Sequence, residues 1–228
     1  MVGFGIFLAL VILFLAKVGY TYFQIMRGNA PLPTSFSGIS VDSKIASMPP
    51  ADAALQKALA TYDDPDMGNA ANPILTIVEF ADFGCPYSKE ANYIPQLLSS
   101  FTDRVRFVYR DFPVLELHPT AALAGEAGEC AQEQKRFFDY ADKVFRNQND
   151  ISDAALRRYA REIGLNPVTF DECLDSHRYK AEVEQDRTDG IAAGVRGTPT
   201  FFINGQRIEG AIPQKIFERI IAKYLKTN

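Results

Sequence analysis

The sequence is poor in the residues that build metal centres and nucleic-acid surfaces. Among 228 residues it has three cysteines, two histidines and no tryptophan, and no group of cysteines and histidines has the spacing of a zinc site. Its 24 basic and 28 acidic residues give a formal net charge of −4, which argues against a nucleic-acid partner because such binding needs a clustered basic surface. A hydrophobic fraction of 47% excludes a chain that is disordered throughout. We therefore expect no metal, no nucleic acid and one or two folded domains.

The chain opens with an apolar segment. Residues 2–16 carry no charge, and a helix extended past Lys17 to about residue 22 would cross a bilayer core of about 30 Å if the lysine reaches the interface. We predict that residues 1–27 form a single-pass membrane anchor that contacts lipid through residues 2–22. A cleaved signal peptide is the alternative, which the missing basic stretch and the lack of a good cleavage site disfavour.

The rest of the chain divides into a predicted linker and one predicted domain. Residues 28–70 are rich in proline, serine, aspartate and asparagine, which is typical of a linker, although residues 51–60 have a helical pattern. Residues 71–228 alternate regularly between strand and helix patterns, with a helical insert at about residues 118–190. The order β-α-β, helices, β-β-α predicts an α/β domain, and Asn204-Gly205 predicts the turn of its last hairpin.

The reactive chemistry is predicted at Cys85, where the strand at residues 74–80 gives way to a helix. Pro86 suits the first helical position, so Cys85 is the predicted cap. A sulfur at that place faces free backbone amides and the positive end of the helix dipole, and both favour the thiolate over the thiol. The thiolate is the nucleophile of disulfide exchange. A buried structural cysteine that happens to precede a proline is the alternative.

Two segments resemble the signatures of the DsbA-like branch of the thioredoxin fold, and the resemblance covers roughly residues 66–226. The first contains Cys85-Pro86-Tyr87-Ser88, and the second, residues 194–210, contains Thr198-Pro199. The resemblance implies a thioredoxin fold with an inserted helical subdomain and a cis Pro199 beside Cys85. On the residues alone, an ordinary trans turn at Pro199 stays open. The substrate-binding residues that it implies are Pro86, Tyr87, Thr198 and Pro199.

The resemblance also assigns roles to Glu79 and Ser88. The family has a buried acid at the position of Glu79, which relays protons to the active thiol, whereas a solvent-facing strand residue is the alternative. Ser88 stands where the Cys-x-x-Cys pattern has its second cysteine, so it cannot resolve a mixed disulfide. Its hydroxyl is expected to donate a hydrogen bond to the Cys85 thiolate. We count Cys85, Ser88 and Glu79 as the candidate catalytic residues.

The two other cysteines and the two histidines are placed in or near the insert. Cys130 and Cys173 lie on predicted helices that should pack together, and some relatives of the resembled family have cysteines at similar places. We predict a structural disulfide, while two buried thiols or a redox-active pair remain alternatives. For His118, at the opening of the insert, a polar helix-entry role is favoured over a catalytic imidazole. His177 is expected to be solvated.

These observations predict a membrane-anchored thiol–disulfide oxidoreductase or isomerase that acts through one cysteine. Its catalytic domain should lie outside the cytoplasm, in the periplasm or the extracellular space, because a disulfide needs an oxidising compartment. That argument outweighs Lys17 and Arg27, whose place after the apolar segment would by itself put the domain in the cytoplasm. The expected partners are extracytoplasmic protein thiols and disulfides, with a redox partner in the membrane. No bound cofactor is expected, although glutathione or another small thiol is a candidate co-substrate. The alternatives are a peptide-binding or chaperone-like module without redox activity and a glutathione-dependent isomerase.

Overall fold

The computed structural model describes residues 52–69 and 71–226. The predicted anchor and the N-terminal half of the predicted linker lie outside these residues. Within the described part, no helix has both the length and the apolar character needed to cross a membrane.

A five-stranded mixed sheet forms the centre of the domain, in the order β1-β3-β2-β4-β5. Strands β2 and β3 are parallel, and the other three neighbouring pairs are antiparallel. Every residue of β2 and β3 is buried, which agrees with their apolar sequence. The predicted α/β class is confirmed. The strands are β1 (Asp66–Gly68), β2 (Leu75–Ala81), β3 (Val105–Asp111), β4 (Thr200–Ile203) and β5 (Gln206–Glu209).

Nine α-helices surround the sheet in the described part. The helix predicted after Cys85 is divided into α2 and α3 at Asn92 and Tyr93, because Pro95 lies in the first turn of α3 and cannot continue the hydrogen-bond ladder of α2. Five helices, α4 to α8, form the predicted insert. The helices are α1 (Ala53–Leu59), α2 (Pro86–Ala91), α3 (Ile94–Leu98), α4 (Ala121–Gln132), α5 (Phe137–Arg146), α6 (Asp153–Glu162), α7 (Pro167–Asp175), α8 (Lys180–Ala192) and α9 (Gln214–Lys226).

The folded domain begins before residue 71, so the linker prediction requires a correction at its C-terminal end. Strand β1 pairs with β3, and Leu59 of α1 is buried in one core cluster with Val78, Phe80 and Val108. Proline and polar residues suggested a linker, but an edge strand tolerates both, because one of its sides needs no ladder partner.

The two faces of the sheet pack against different residues. This difference shows on which face Glu79, the acidic residue of β2, lies. Val78 and Phe80 contribute to the cluster beneath α1. Glu79 therefore lies on the opposite face, beside its ladder partners Tyr109 and Phe201. Aromatic rings from α5 and α9 pack on this second face, as the contacts Tyr109–Phe137 and Phe201–Phe217 show.

Candidate active site

Cys85 is the N-cap residue of α2, as the sequence predicted, but within the described part of the chain its sulfur accepts no hydrogen bond from the helix amides that it was expected to face. Its backbone is extended, with φ −79° and ψ 122°, and its side chain is free and only 6% exposed. The Sγ atom donates to the backbone oxygen of Thr198 at 3.3 Å. The Thr198–Pro199 peptide bond is cis, which confirms that expectation. The fold thus brings together two segments that are 113 residues apart in the chain.

The turn before α2 is held by Asp82, which sequence reasoning did not single out. The amide of Cys85 donates to the Asp82 backbone oxygen at 2.9 Å, and the amide of Gly84 donates to Asp82 Oδ1 at 2.6 Å. The Oδ2 atom accepts from the Val114 amide and from His118 Nδ1, each at 2.8 Å. One buried carboxylate therefore joins the turn at Cys85 to the loop that follows β3.

Ser88 is buried one turn into α2, but its hydrogen bond differs from the expectation. Its hydroxyl oxygen accepts from the Asp82 amide at 3.2 Å, and no hydrogen bond joins Ser88 to the Cys85 sulfur in the described part of the chain. The expected bond to the thiolate is absent from this arrangement, because the hydroxyl is oriented toward the backbone of the preceding turn. Ser88 supports the shape of that turn.

Gln148 reaches the same turn from the loop between α5 and α6. Its Nε2 atom donates to the backbone oxygen of Phe83 at 2.9 Å and to that of Cys85 at 2.8 Å. Both amide protons are used, so one side chain of the insert holds the two carbonyls on either side of Gly84. No sequence signal identified this residue, since a glutamine in a polar loop is ordinary by composition.

Glu79 is buried and 4% exposed, which rejects the solvent-facing alternative. Burial raises the pKa of its carboxyl to about 8, because water is not available to stabilise the charged form. The neighbouring Tyr109 hydroxyl is also buried and has no hydrogen-bond partner among the described residues. A carboxyl that changes charge near neutral pH on this face can exchange protons with groups of the site.

The residues that the resemblance assigned to substrate binding lie on both sides of Cys85. Pro86 and Tyr87 are exposed, with Tyr87 at 49%, and Thr198 is partly exposed next to the buried Pro199. The loop after β3 adds two exposed leucines, Leu115 and Leu117. Exposed apolar side chains around a nucleophile are suited to contact an extended, partly apolar peptide.

The remaining cysteines form the predicted disulfide. Cys130 of α4 and Cys173 of α7 are joined by an S–S bond of 2.00 Å, and both are at most 1% exposed. The disulfide connects two helices within the insert. The alternative of two separate buried thiols is therefore wrong.

A group of carboxylates elsewhere in the domain is a separate feature of the described residues. The ligand oxygens of Asp63, Asp64 and Glu182 lie within 4.8 Å of one another. Arg110 lies 3.3 Å from Asp64 and supplies positive charge to that carboxylate.

Sequence comparison matches this chain to one family over most of its length. The family model described as Thioredoxin matches residues 61–223. The Na(+)/H(+) antiporter NhaA 3 of Salinispora tropica is 38% identical over 151 residues, which are 64% of this chain and 23% of that protein. The chain thus spans less than a quarter of the length of the curated relatives it matches.

Solved structures that share the fold include the following three. Oxidised BdbD from Bacillus subtilis is 26% identical, with a TM-score of 0.63 over 72% of this chain and 94% of that one. Alpha-DsbA1 of Wolbachia pipientis is 22% identical, with a TM-score of 0.65 over 75% and 96%. A periplasmic thioredoxin-like protein from Salmonella enterica serovar Typhimurium is 22% identical, with a TM-score of 0.63 over 77% and 98%. The fold is therefore the DsbA-like form of the thioredoxin fold, with the helical insert that the sequence predicted.

Proposed function

The chain belongs to the thioredoxin family, and on that premise we propose that it catalyses thiol–disulfide exchange with Cys85 as its nucleophile. The main support for this proposal is the free Cys85 thiol at the start of α2. Its sulfur contacts the Thr198 carbonyl beside cis Pro199. A sulfur at a helix start, next to a backbone group that can also bind an extended peptide, is arranged for attack on a disulfide of that peptide.

The proposed cycle uses one protein thiol and leaves the redox balance unchanged. The Cys85 thiolate attacks one sulfur of a substrate disulfide, so the substrate S–S bond breaks, a mixed disulfide forms and one substrate thiolate leaves. A second thiol, from the substrate or from a small thiol such as glutathione, then attacks the substrate sulfur of the mixed disulfide. A new disulfide forms and Cys85 is released as thiolate. Ser88 cannot supply that second thiol, so the cycle favours isomerisation over net oxidation.

The groups around Cys85 have separate roles in this proposal. Pro86, Tyr87, Thr198 and Pro199 bind the substrate chain, with the Thr198 backbone as the hydrogen-bonding edge. Glu79 relays protons from the buried face of the sheet, which its raised pKa of about 8 supports. Ser88 maintains the turn through its bond with the Asp82 amide.

We place the domain outside the cytoplasm, with residues 2–22 as its membrane anchor. The buried Cys130–Cys173 disulfide supports an oxidising compartment. Anchoring would hold the site near a membrane redox partner. Alkaline carbonate extraction tests the anchor: the full chain should stay with the membrane, and a chain without residues 2–26 should be released. Release of the full chain would contradict the anchor and leave the chemistry of Cys85 untouched.

The function is tested by refolding a protein with scrambled disulfides in the presence of glutathione. Cys85→Ala should reduce isomerisation to the rate seen without the protein, and Ser88→Cys should add net oxidation of a dithiol peptide. Exchange that is unchanged in Cys85→Ala would contradict the proposal. If that variant also retains peptide binding and activity in cells, the peptide-binding alternative replaces the enzyme. Turnover of a small molecule with glutathione, without turnover of proteins, would favour the glutathione-dependent isomerase.

A further inference from the structure

We propose that His118 is a second acid–base residue of the Cys85 site, beside Glu79, and accepts the proton of the thiol that resolves the mixed disulfide. This inference rests on the proposed exchange at Cys85, and it identifies the proton acceptor that the exchange requires. It replaces the sequence-based interpretation of His118 as a polar residue at a helix entry.

The first observation is the contact between His118 and the residue next to the nucleophile. A methyl group at Gly84 would lie 2.5 Å from His118 Cβ, 2.6 Å from Cγ and 3.0 Å from Cδ2. The imidazole side chain thus occupies the space that any larger residue before Cys85 would need. Glycine at position 84 allows the histidine to pack directly against the active-site turn.

The second observation is the hydrogen bond that determines which ring nitrogen carries the proton. Nδ1 lies 2.8 Å from Oδ2 of Asp82, whose side chain is fully buried. The Asp82 carboxylate also accepts hydrogen bonds from the Gly84 and Val114 amides. Its oxygens are therefore acceptors, and Nδ1 of His118 is the donor. In the neutral imidazole the lone pair is then on Nε2, which is the arrangement by which a carboxylate orients a catalytic imidazole.

The third observation is that Nε2 of His118 is accessible to a proton donor. In the described part of the chain no hydrogen bond involves this atom, and the His118 side chain is 21% exposed. The ring is held firmly at one nitrogen and reachable at the other.

The chemical step balances without an added oxidant or reductant. The incoming thiol transfers its S–H proton to Nε2 while its sulfur attacks the substrate sulfur of the mixed disulfide. The Cys85–substrate S–S bond breaks, and Cys85 leaves as thiolate. The imidazolium then gives the proton to the substrate thiolate that leaves in the next attack, or to water. Each cycle consumes one disulfide and forms one.

Charged and titratable groups lie on the elements next to the imidazole. Asp82 lies on the turn before α2 and Cys85 at its start, while Glu116 is an exposed residue of the same loop as His118. From the insert, α8 contributes Arg187, whose Nε donates to the Pro113 oxygen at 3.3 Å. Of these groups, Asp82 makes the direct contact, so proton transfer at Nε2 depends mainly on that pair.

The test compares His118→Asn with the native chain in glutathione-dependent exchange between pH 6.5 and 9.5. The asparagine amide can still donate to Asp82, so the loop keeps its anchor, but no base remains in the place of Nε2. We expect a loss of about 100-fold near pH 7. The loss should vanish near pH 9.5, because a free thiol with an ordinary pKa of about 8.5 is then already ionised. His118→Gln serves as a second variant if His118→Asn does not fold.

The outcomes separate this inference from the function on which it rests. A loss of equal size at every pH, or no loss, would overturn the role of His118 as a base. In either case Cys85→Ala should still abolish exchange, and the proposed function would stand. Exchange that persists in Cys85→Ala would overturn both. The proton-transfer role is supported if the exchange rate of His118→Asn recovers at high pH but stays low near pH 7.

Discussion

At the scale of single residues, Glu79 shows how an unfavourable side chain is held in a core. Its carboxyl lies in a strand whose other six residues are also buried, and burial raises its pKa to about 8. The carboxyl is therefore mostly protonated at neutral pH in the folded protein and ionised in the unfolded chain. Folding consequently takes up a proton at this residue.

Replacement of Glu79 by glutamine tests this linkage. A folded pKa of about 8 against an unfolded value of 4.5 means that the stabilising contribution is complete below pH 4.5 and is lost as the pH rises toward 8. Glu79→Gln should remove that slope, so its free energy of unfolding should gain about 1–3 kcal/mol relative to the native chain between pH 4.5 and 8. Urea denaturation at several pH values measures this difference in the free energy of unfolding.

An exposed acid provides the control for this measurement. Glu90 lies on α2 at the surface, and Glu90→Gln should leave the shape of the stability curve unchanged. Parallel curves for Glu79→Gln and the native chain would show that the Glu79 carboxyl is ionised in both states, which contradicts the burial argument.

At the scale of secondary-structure elements, the loop between α5 and α6 supports the active-site turn through Gln148. Gln148→Ala leaves the carbonyls of Phe83 and Cys85 without their donor, at a cost of about 1–3 kcal/mol. We expect slower alkylation of Cys85 and weaker exchange in a domain that still unfolds cooperatively. Gln134 is another insert glutamine, which accepts from the Asn166 amide at 2.8 Å and donates to the Asn166 oxygen at 3.4 Å. Gln134→Ala is the matched control, because these bonds hold the start of α7 rather than the turn at Cys85. Equal effects of the two substitutions would reject a specific role for Gln148.

The disulfide between α4 and α7 acts on the insert as a unit. It closes a loop with a sequence separation of 43 residues, for which the loss of chain entropy predicts about 4 kcal/mol of stabilisation. Cys130→Ala/Cys173→Ala should lower the free energy of unfolding by about 2–4 kcal/mol, and reductant should lower that of the native chain but not of the double variant. Exchange activity should persist below the melting temperature. A double variant that is stable but inactive would instead identify the pair as redox-active.

At the scale of the whole molecule, residues 52–68 complete the sheet and the charge balance of its third strand. Arg106 of β3 donates to Asp66 at 2.7 Å and to the Ala60 oxygen at 2.8 Å. Arg110 of β3 pairs with Asp64, Asp186 and Asp189. Both arginines are almost fully buried, so they depend on partners from this segment.

A chain that begins at residue 71 should therefore fail to fold, whereas one that begins at residue 52 should unfold cooperatively. The shorter chain exposes the edge of β3 and leaves Arg106 without its partners, which costs more than a domain of this size can lose. Thermal unfolding followed by circular dichroism distinguishes them. In the longer chain, Leu59→Ala should lower the free energy of unfolding by about 2–4 kcal/mol. A stable chain from residue 71 would restore the original linker boundary.

The sequence determined those features that depend on neighbours in the chain. The strand-to-helix change at Cys85, the proline that follows it and the Asn204-Gly205 turn are local signals, because backbone geometry is set over a few residues. The spacing of apolar residues likewise predicted the helices of the insert. The α/β order followed from these elements, and the DsbA-like motifs added the cis proline, the buried acid and the disulfide.

The choice of distant groups that meet at Cys85 depends on the three-dimensional packing of the domain. Thr198, Gln148 and His118 reach the turn from three separate segments, and their approach depends on sheet register and on the packing of the insert rather than on spacing. Packing also orients the Ser88 hydroxyl toward the Asp82 amide instead of the Cys85 sulfur. A side chain takes its hydrogen-bond partner from the complete fold, so the nucleophile was readable in the sequence and its supporting groups were not.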